Sequence, residues 1–205
     1  MPRAGLNRDA VVALGVACVE DGGVTAFTDL TLAAVAARAG VAVPSLYKHV
    51  GGLPDLRQGV ALVAVRRLAA VLEAALADPA ADGAQEGSAQ ADGGPSPLAR
   101  VAHAVRDHAR ARPGLYAATQ APALLAGDGP DTAALAAESR HVVDLVGRAV
   151  PRTTDDDAAR VHAVRAVRAA LHGFLVLEMT GGFGLPEDVD ASFAHLVRVL
   201  ERGTG

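Results

Sequence analysis

An all-α fold is predicted for this chain, and three observations predict it. Apolar residues recur at helical intervals along most of the sequence. No segment alternates apolar and polar residues as a half-buried strand would. The 51% apolar content is carried by Ala, Val and Leu, with 3% aromatic residues and no Trp, a composition suited to closely packed helices. At 205 residues there is enough chain for one or two domains with a sizeable core.

The first helix is expected from Asn7 to Glu20, with Ala10, Val11, Leu14, Ala17 and Cys18 as its apolar stripe and Gly22-Gly23 as its stop. Val24 and Phe27 follow as core plugs in a loop. Thr31 is a plausible N-cap for a two-turn helix from Leu32 to Ala39, and Gly40 ends it. A third short helix begins at Val43-Pro44, since proline fits a first helical turn where its missing N–H is not needed. After Gly51-Gly52 a longer helix runs from about Pro54 to Ala77, with Leu56, Val60, Val63, Arg67 and Val71 at helical intervals. Residues 78–97 mix Asp, Gly, Ala, Ser and Pro without periodicity and are expected to be a flexible acidic linker. Five more helices are expected near Leu98–Ala111, Leu115–Gln120, Thr132–Val150, Asp155–Thr180 and Glu187–Glu201.

Charge and cysteine use narrow the class. Lys and Arg number 19 against 23 Asp and Glu, a net charge of −4, and the stretch 78–96 alone carries Asp78, Asp82, Glu86 and Asp92 with no basic residue. The global charge therefore neither demands nor forbids a polyanionic partner. The single cysteine, Cys18, is expected in the core; it has no partner for an internal disulfide and points to a reducing compartment. No apolar run reaches the roughly 18 residues that span a bilayer. The first helix closes on Glu20 and Asp21 rather than on a cleavable small-residue site, so a cytoplasmic location without a membrane partner is expected.

Three short helices followed by a long one, with a glycine turn between the second and third, have the layout of a helix-turn-helix. The run from Thr31 to Val50, TLAAVAARAGVAVPSLYKHV, followed by Leu53, Asp55 and Leu56, closely resembles the DNA-binding domain of TetR/AcrR-family transcriptional regulators. A weaker likeness to the family's WHG-type C-terminal domain lies in Arg112-Pro113-Gly114-Leu115-Tyr116, Leu171-His172-Gly173-Phe174 and Gly181-Gly182-Phe183-Gly184-Leu185-Pro186, with Leu171 where Trp is expected. The resemblance implies a helix-turn-helix DNA-binding domain over 1–53, a connecting helix over 54–77 and a ligand-binding and dimerisation domain over 98–205. It also implies a ligand-responsive regulator, a repressor released from a palindromic double-stranded operator by a small hydrophobic effector.

Within that resemblance Val43, Pro44 and Ser45 take the base-facing end of the recognition helix, and Tyr47, Lys48 and His49 the phosphate-facing side. Tyr47 supplies a hydroxyl, Lys48 a charge and His49 a ring N–H. Thr31 and the first amides of the second helix are placed to hold a phosphate. Leu46 and Val50 are read as core. The chain departs from the family in having Ala33 where a base-reading arginine stands and Leu53 where a lysine is common, and Arg3, Arg8 and Arg38 are candidates to compensate. Arg66 and Arg67 are read as surface charges or intrachain partners rather than DNA contacts.

Such a unit has few contacts of its own, so a homodimer spanning two half-sites is expected. The segment Ala163 to Met179 is apolar on more than one face, and Phe193, Leu196, Val197 and Leu200 add a second stripe, so these two helices are expected to pair with their symmetry mates. Tyr116, His141, Arg168 and His172 are polar residues on apolar segments and are the candidates for contacting the effector. An enzyme has no positive support. Of His103, Asp107 and His108 on one segment, His103 and Asp107 alone share a helical face and have no third ligand at metal spacing, and the pair His141 and Asp144 comes with no nucleophile or phosphate loop. No metal or cofactor is expected. The competing class is a helical small-molecule-binding protein without DNA binding.

Overall fold

The computed structural model describes residues 6–77, 94–121, 129–151 and 156–204. Among these it has nine α-helices and no strand: α1 Arg8–Glu20, α2 Leu32–Ala39, α3 Val43–Leu46, α4 Leu53–Leu76, α5 Pro97–Ala111, α6 Pro113–Ala118, α7 Thr132–Ala149, α8 Asp157–Met179 and α9 Val189–Thr204. Most of the expected linker, residues 78–93, lies outside the described residues. The helix expected from Leu115 starts two residues earlier because Pro113 occupies its first turn, where no N–H is required.

Internal contacts divide the chain into one unit of Met1–Arg67 with Ala111–Arg140 and another of Leu68–Arg110 with His141–Gly205, so the division falls inside α4, α5 and α7. In the first unit α1 opens on Asn7, whose side chain accepts the Ala10 amide at 2.8 Å. Its buried face is Val11, Val12, Gly15, Val16 and Val19. That is a correction to the expected stripe, of which only Val11 is buried, while Cys18 is half-buried rather than core. The valines win the inner face because they stand beside Gly15, whose missing side chain lets Leu56 and Val60 of α4 come within about 3.0 Å of where a Cβ would be. Phe27, Leu30, Val35, Leu46 and Val50 complete the core around the second and third helices.

In the second unit α8 buries a single stripe, Val164, Val167, Leu171 and Leu175, and α9 buries Phe193 and Val197. They pack with Leu98, Val101, Ala102 and Val105 of α5 and Leu145 and Val146 of α7, which are buried in the same unit. One cation lies among these apolar groups. Arg106, 5% exposed, donates to Glu178 through Nη2 at 2.6 Å and Nε at 2.9 Å and to Asp190 at 2.6 Å. Its guanidinium sits 4.5 Å from the Phe193 ring centre. A buried charge is tolerable only with such complete pairing, and the bidentate fork fixes where α8 ends relative to α5.

Gly114 tests the packing of α6 on α1. A Cβ there would fall on the Val19 carbonyl oxygen and lie 3.0 Å from the Val19 side chain. Gly114→Ala should therefore destabilise the protein by about 2 kcal/mol, the usual range for overpacking. Thermal unfolding followed by circular dichroism should show a Tm lowered by several degrees.

Candidate nucleic-acid interface

The interface is built by capping and burial. Thr31 Oγ1 accepts the Ala34 amide at 3.1 Å and starts α2. Gly40 ends it in the left-handed region at φ 67°, where a side chain would be strained. The Gly40 amide donates to Ala37 and the Val41 amide to Ala36, both at 3.1 Å, so the last carbonyls of α2 are satisfied by a Schellman turn. That turn reverses the chain into α3. Regular helix there covers only Val43–Leu46, and Tyr47 to His49 continue as a turn held by the His49 and Val50 amides on the Leu46 carbonyl. The expected third helix is thus shorter than its motif.

Leu46 and Val50, 0% and 2% exposed, anchor this segment from below, as expected of core residues. Tyr47 is 58% exposed, and Pro44 and Lys48 are exposed too. Val43, Ser45 and His49 are half-buried, and Thr31 stands exposed at the head of α2. All seven expected DNA-contacting residues thus belong to one short stretch of one unit, with Tyr47, Lys48 and His49 directly after the C-terminal end of α3.

The compensating arginines behave differently from expectation. Arg8 Nη2 donates to Asp55 at 2.6 Å and to Asp131 at 2.7 Å, so it is committed inside the unit rather than offered to DNA. Arg38 is paired with Asp21, the residue that caps the end of α1. The physical reason is the same in both: a carboxylate of the same unit lies within reach and supplies a fixed partner. Arg3 lies outside the described residues. Arg66 pairs with Glu138 at 3.0 Å and Arg67 with Glu20 at 2.6 Å, the intrachain role expected of them.

Two positioning residues lie behind the interface: Asp55, quoted above with the motif, and Arg57, which was not singled out in the sequence. Asp55 links Arg8 to the turn after α3, because its second oxygen accepts the Gly51 amide at 2.8 Å. Arg57 donates to the carbonyls of Thr28 and Leu30 and so ties α4 to the segment that leads into Thr31. The signal of Arg57 was faint: it is an ordinary charge near the start of a long helix.

The effector candidates separate. Tyr116 is buried in α6 of the first unit, whereas His141, Arg168 and His172 belong to the second. His141 is bonded to Glu73 at 2.7 Å. Burial, and then the nearby Arg168 cation, hold the His172 imidazole below its ordinary range. His103 stacks edge-on against Phe193 at 5.2 Å while His108 is buried, and among the described residues no three His, Cys, Asp or Glu side chains converge as metal ligands. No helix among those residues is long and apolar enough to cross a membrane.

A capped helix, a glycine turn and a short second helix anchored below and open above form a helix-turn-helix, and with the helical remainder they define a DNA-binding regulator of transcription. Residues 98–200 match the family model described as Tetracyclin repressor-like, C-terminal domain. The uncharacterized HTH-type transcriptional regulator YobS of Bacillus subtilis strain 168 is 32% identical over 98% of this chain and 94% of its own length. A second uncharacterized HTH-type transcriptional regulator, Rv0681 of Mycobacterium tuberculosis H37Rv, is also 32% identical, over 98% of this chain and 82% of its own. A solved structure of a protein with unknown function from Rhodococcus sp. RHA1 has the same fold, with a TM-score of 0.67 at 23% identity over 99% of this chain and 97% of that one. The chain belongs to the TetR family of HTH-type transcriptional regulators, which are not enzymes.

The Arg8 hub yields a prediction. Arg8→Met leaves Asp55 and Asp131 facing each other without their shared cation and should cost about 2 kcal/mol, the range for hydrogen bonds to charged groups. Because Asp55 also holds the turn after α3, DNA affinity should fall for all sequences alike. Chemical denaturation together with gel-shift titration on several duplexes checks both effects.

Proposed function

We propose that this chain is a homodimeric repressor that holds a palindromic operator and is released from it by a small-molecule effector. The observation that carries this reading is the exposure of Tyr47 and Lys48 on a segment whose Leu46 and Val50 are locked in the core. A side chain as large as Tyr47 has no packing role in that position. In this reading Val43 and Pro44 meet thymine methyls and Ser45 a base edge, while Thr31, Tyr47, Lys48 and His49 grip phosphates. Pairing through α8 and α9 is supported by what one copy leaves uncovered. Val176, Leu177 and Val199 are 36%, 45% and 44% exposed, and a Cβ at Gly173 would meet nothing within 4 Å, so no contact within the chain requires its smallness. His141, Arg168 and His172, which share the second unit, are the proposed effector contacts, and the release mechanism is a dimer whose recognition segments no longer match the half-site spacing. Linkage then requires operator DNA to weaken effector binding by the same factor.

Footprinting on the DNA flanking its own gene should reveal two half-sites roughly 34–36 Å apart. Lys48→Ala should weaken every sequence about equally and reduce the salt slope by about one, whereas a change at Ser45 should alter the preference among operators. Absence of any binding at low salt would favour the competing reading, a helical small-molecule-binding protein without DNA binding.

Sedimentation tests the pairing. Val176→Glu combined with Val199→Glu should convert a dimer into a folded monomer and lower operator affinity steeply. A wild-type chain that sediments as a monomer at micromolar concentration would sink the scheme.

A further inference from the structure

A cleft of about 640 Å³ opens between α7 and α8 of the second unit, within the size range of small-molecule sites. From α8 it is lined by Asp157, Arg160, Val161, Val164, Arg165 and Arg168, which recur at the three- and four-residue intervals of one helix face. Val143, Asp144, Gly147 and Arg148 close it from α7. Four arginines therefore face two aspartates over a floor of valines. Among the described residues none of these arginines is ion-paired, in contrast to Arg8, Arg38, Arg66, Arg67 and Arg106 elsewhere in the chain.

Arg160 differs from the other three. Its Nη2 donates to the Gly147 carbonyl at 2.6 Å. That carbonyl is the one whose helical donor would be the amide of residue 151, and residue 151 is proline, with no N–H to give. Arg160 thus caps the end of α7 with one arm of its fork. The other arm, Nη1, is buried and has no hydrogen-bond partner. That nitrogen is shut away from the cleft, so Arg160 is spent on the end of α7, and the cations open to an anion are Arg148, Arg165 and Arg168, all exposed and, among the described residues, without a carboxylate partner.

We propose that this cleft binds an amphipathic small molecule with one anionic head, a carboxylate or a phosphate ester. The head is held by Arg168, Arg165 and Arg148, and the apolar body lies on Val143, Val161 and Val164. This deepens the effector reading above and rests on it only for the consequence at the operator. The site itself is a property of one chain.

The test is calorimetric titration of the full-length protein with decanoate, decyl phosphate, decanol and inorganic phosphate. At least one of the two anionic amphiphiles should bind at one molecule per chain, and the stronger of them identifies the head group. Decanol and inorganic phosphate should each bind about ten-fold or more weaker, since one lacks the charge and the other the apolar body. Arg165→Gln and Arg168→Gln each alter an exposed residue, and each should weaken the anionic amphiphile about ten-fold with the Tm unchanged. Decanol binding as tightly as the anions, inorganic phosphate matching decyl phosphate, or both variants retaining wild-type affinity would overturn the assignment. Operator binding is scored separately: an amphiphile that binds in the cleft yet leaves DNA affinity unchanged supports the site and removes the induction reading.

Discussion

Burial of Leu46 and Val50 is the constraint on which DNA recognition depends. A helix of four residues has no stability of its own in water, where even segments of about 12–15 residues are marginal. What orders α3 is the pair of apolar anchors beneath it and the left-handed Gly40 turn in front of it. The division of labour has a chemical consequence. Since the anchors supply the order, Tyr47 and Lys48 carry no packing duty and their chemistry is free for the proposed duplex. The same economy makes the segment sensitive to its neighbours, because Asp55 holds Gly51 just beyond it and Arg57 holds the strand of chain that enters α2.

The arginines decide what kind of grip results. Arg8 and Arg38 are spent on carboxylates of their own unit, and Ala33 and Leu53 bring no charge, so Lys48 stands almost alone as a cation beside α3. In the proposed grip, phosphate binding leans on neutral donors: the Thr31 and Tyr47 hydroxyls, the His49 ring and the amides that open α2. Such contacts fix position while releasing few counterions, which predicts a shallow salt dependence for one half-site and makes a second copy necessary for useful affinity.

Much of this was legible in the sequence because it is local. Thr31, Gly40 and Pro44 announce the bounds of α2 and α3 by their own conformational preferences, and the structure puts them at those bounds. The inner face of α1 was misread because its period admits two adjacent stripes. The choice between Ala10, Leu14 and Cys18 on one side and Val12, Val16 and Val19 on the other is made by α4, through Gly15 and Gly59, and not by α1 itself. Pairings across long sequence separations were invisible for the same reason. Nothing near Arg8 names Asp131, and nothing near Arg106 names Glu178 or Asp190, although Arg106 falling on the buried face of α5 was a signal that some anion had to be waiting for it.

α8 shows how one helix serves three surfaces at once. At 100° per residue, Val164, Val167, Leu171 and Leu175 form the inner stripe, and Ala166, Ala169, Gly173, Val176 and Leu177 fall on the opposite side. Val161, Arg165 and Arg168 lie on the flank between them, along the α7 cleft. A helix that met only its own core would have no reason to be apolar and small on the outer side, nor to concentrate unpaired arginines on one flank of its first half. Charge placed on the flank also limits how far an apolar interface can spread along α8, since desolvating Arg165 or Arg168 without a counterion is expensive. In the proposed dimer, pairing is thereby confined to the C-terminal half of the helix, where Gly173, Val176 and Leu177 are. An anion bound on the flank would lower that desolvation cost and lengthen the stretch of α8 able to pack against a second copy, which gives ligand occupancy a direct physical route to the geometry of the dimer.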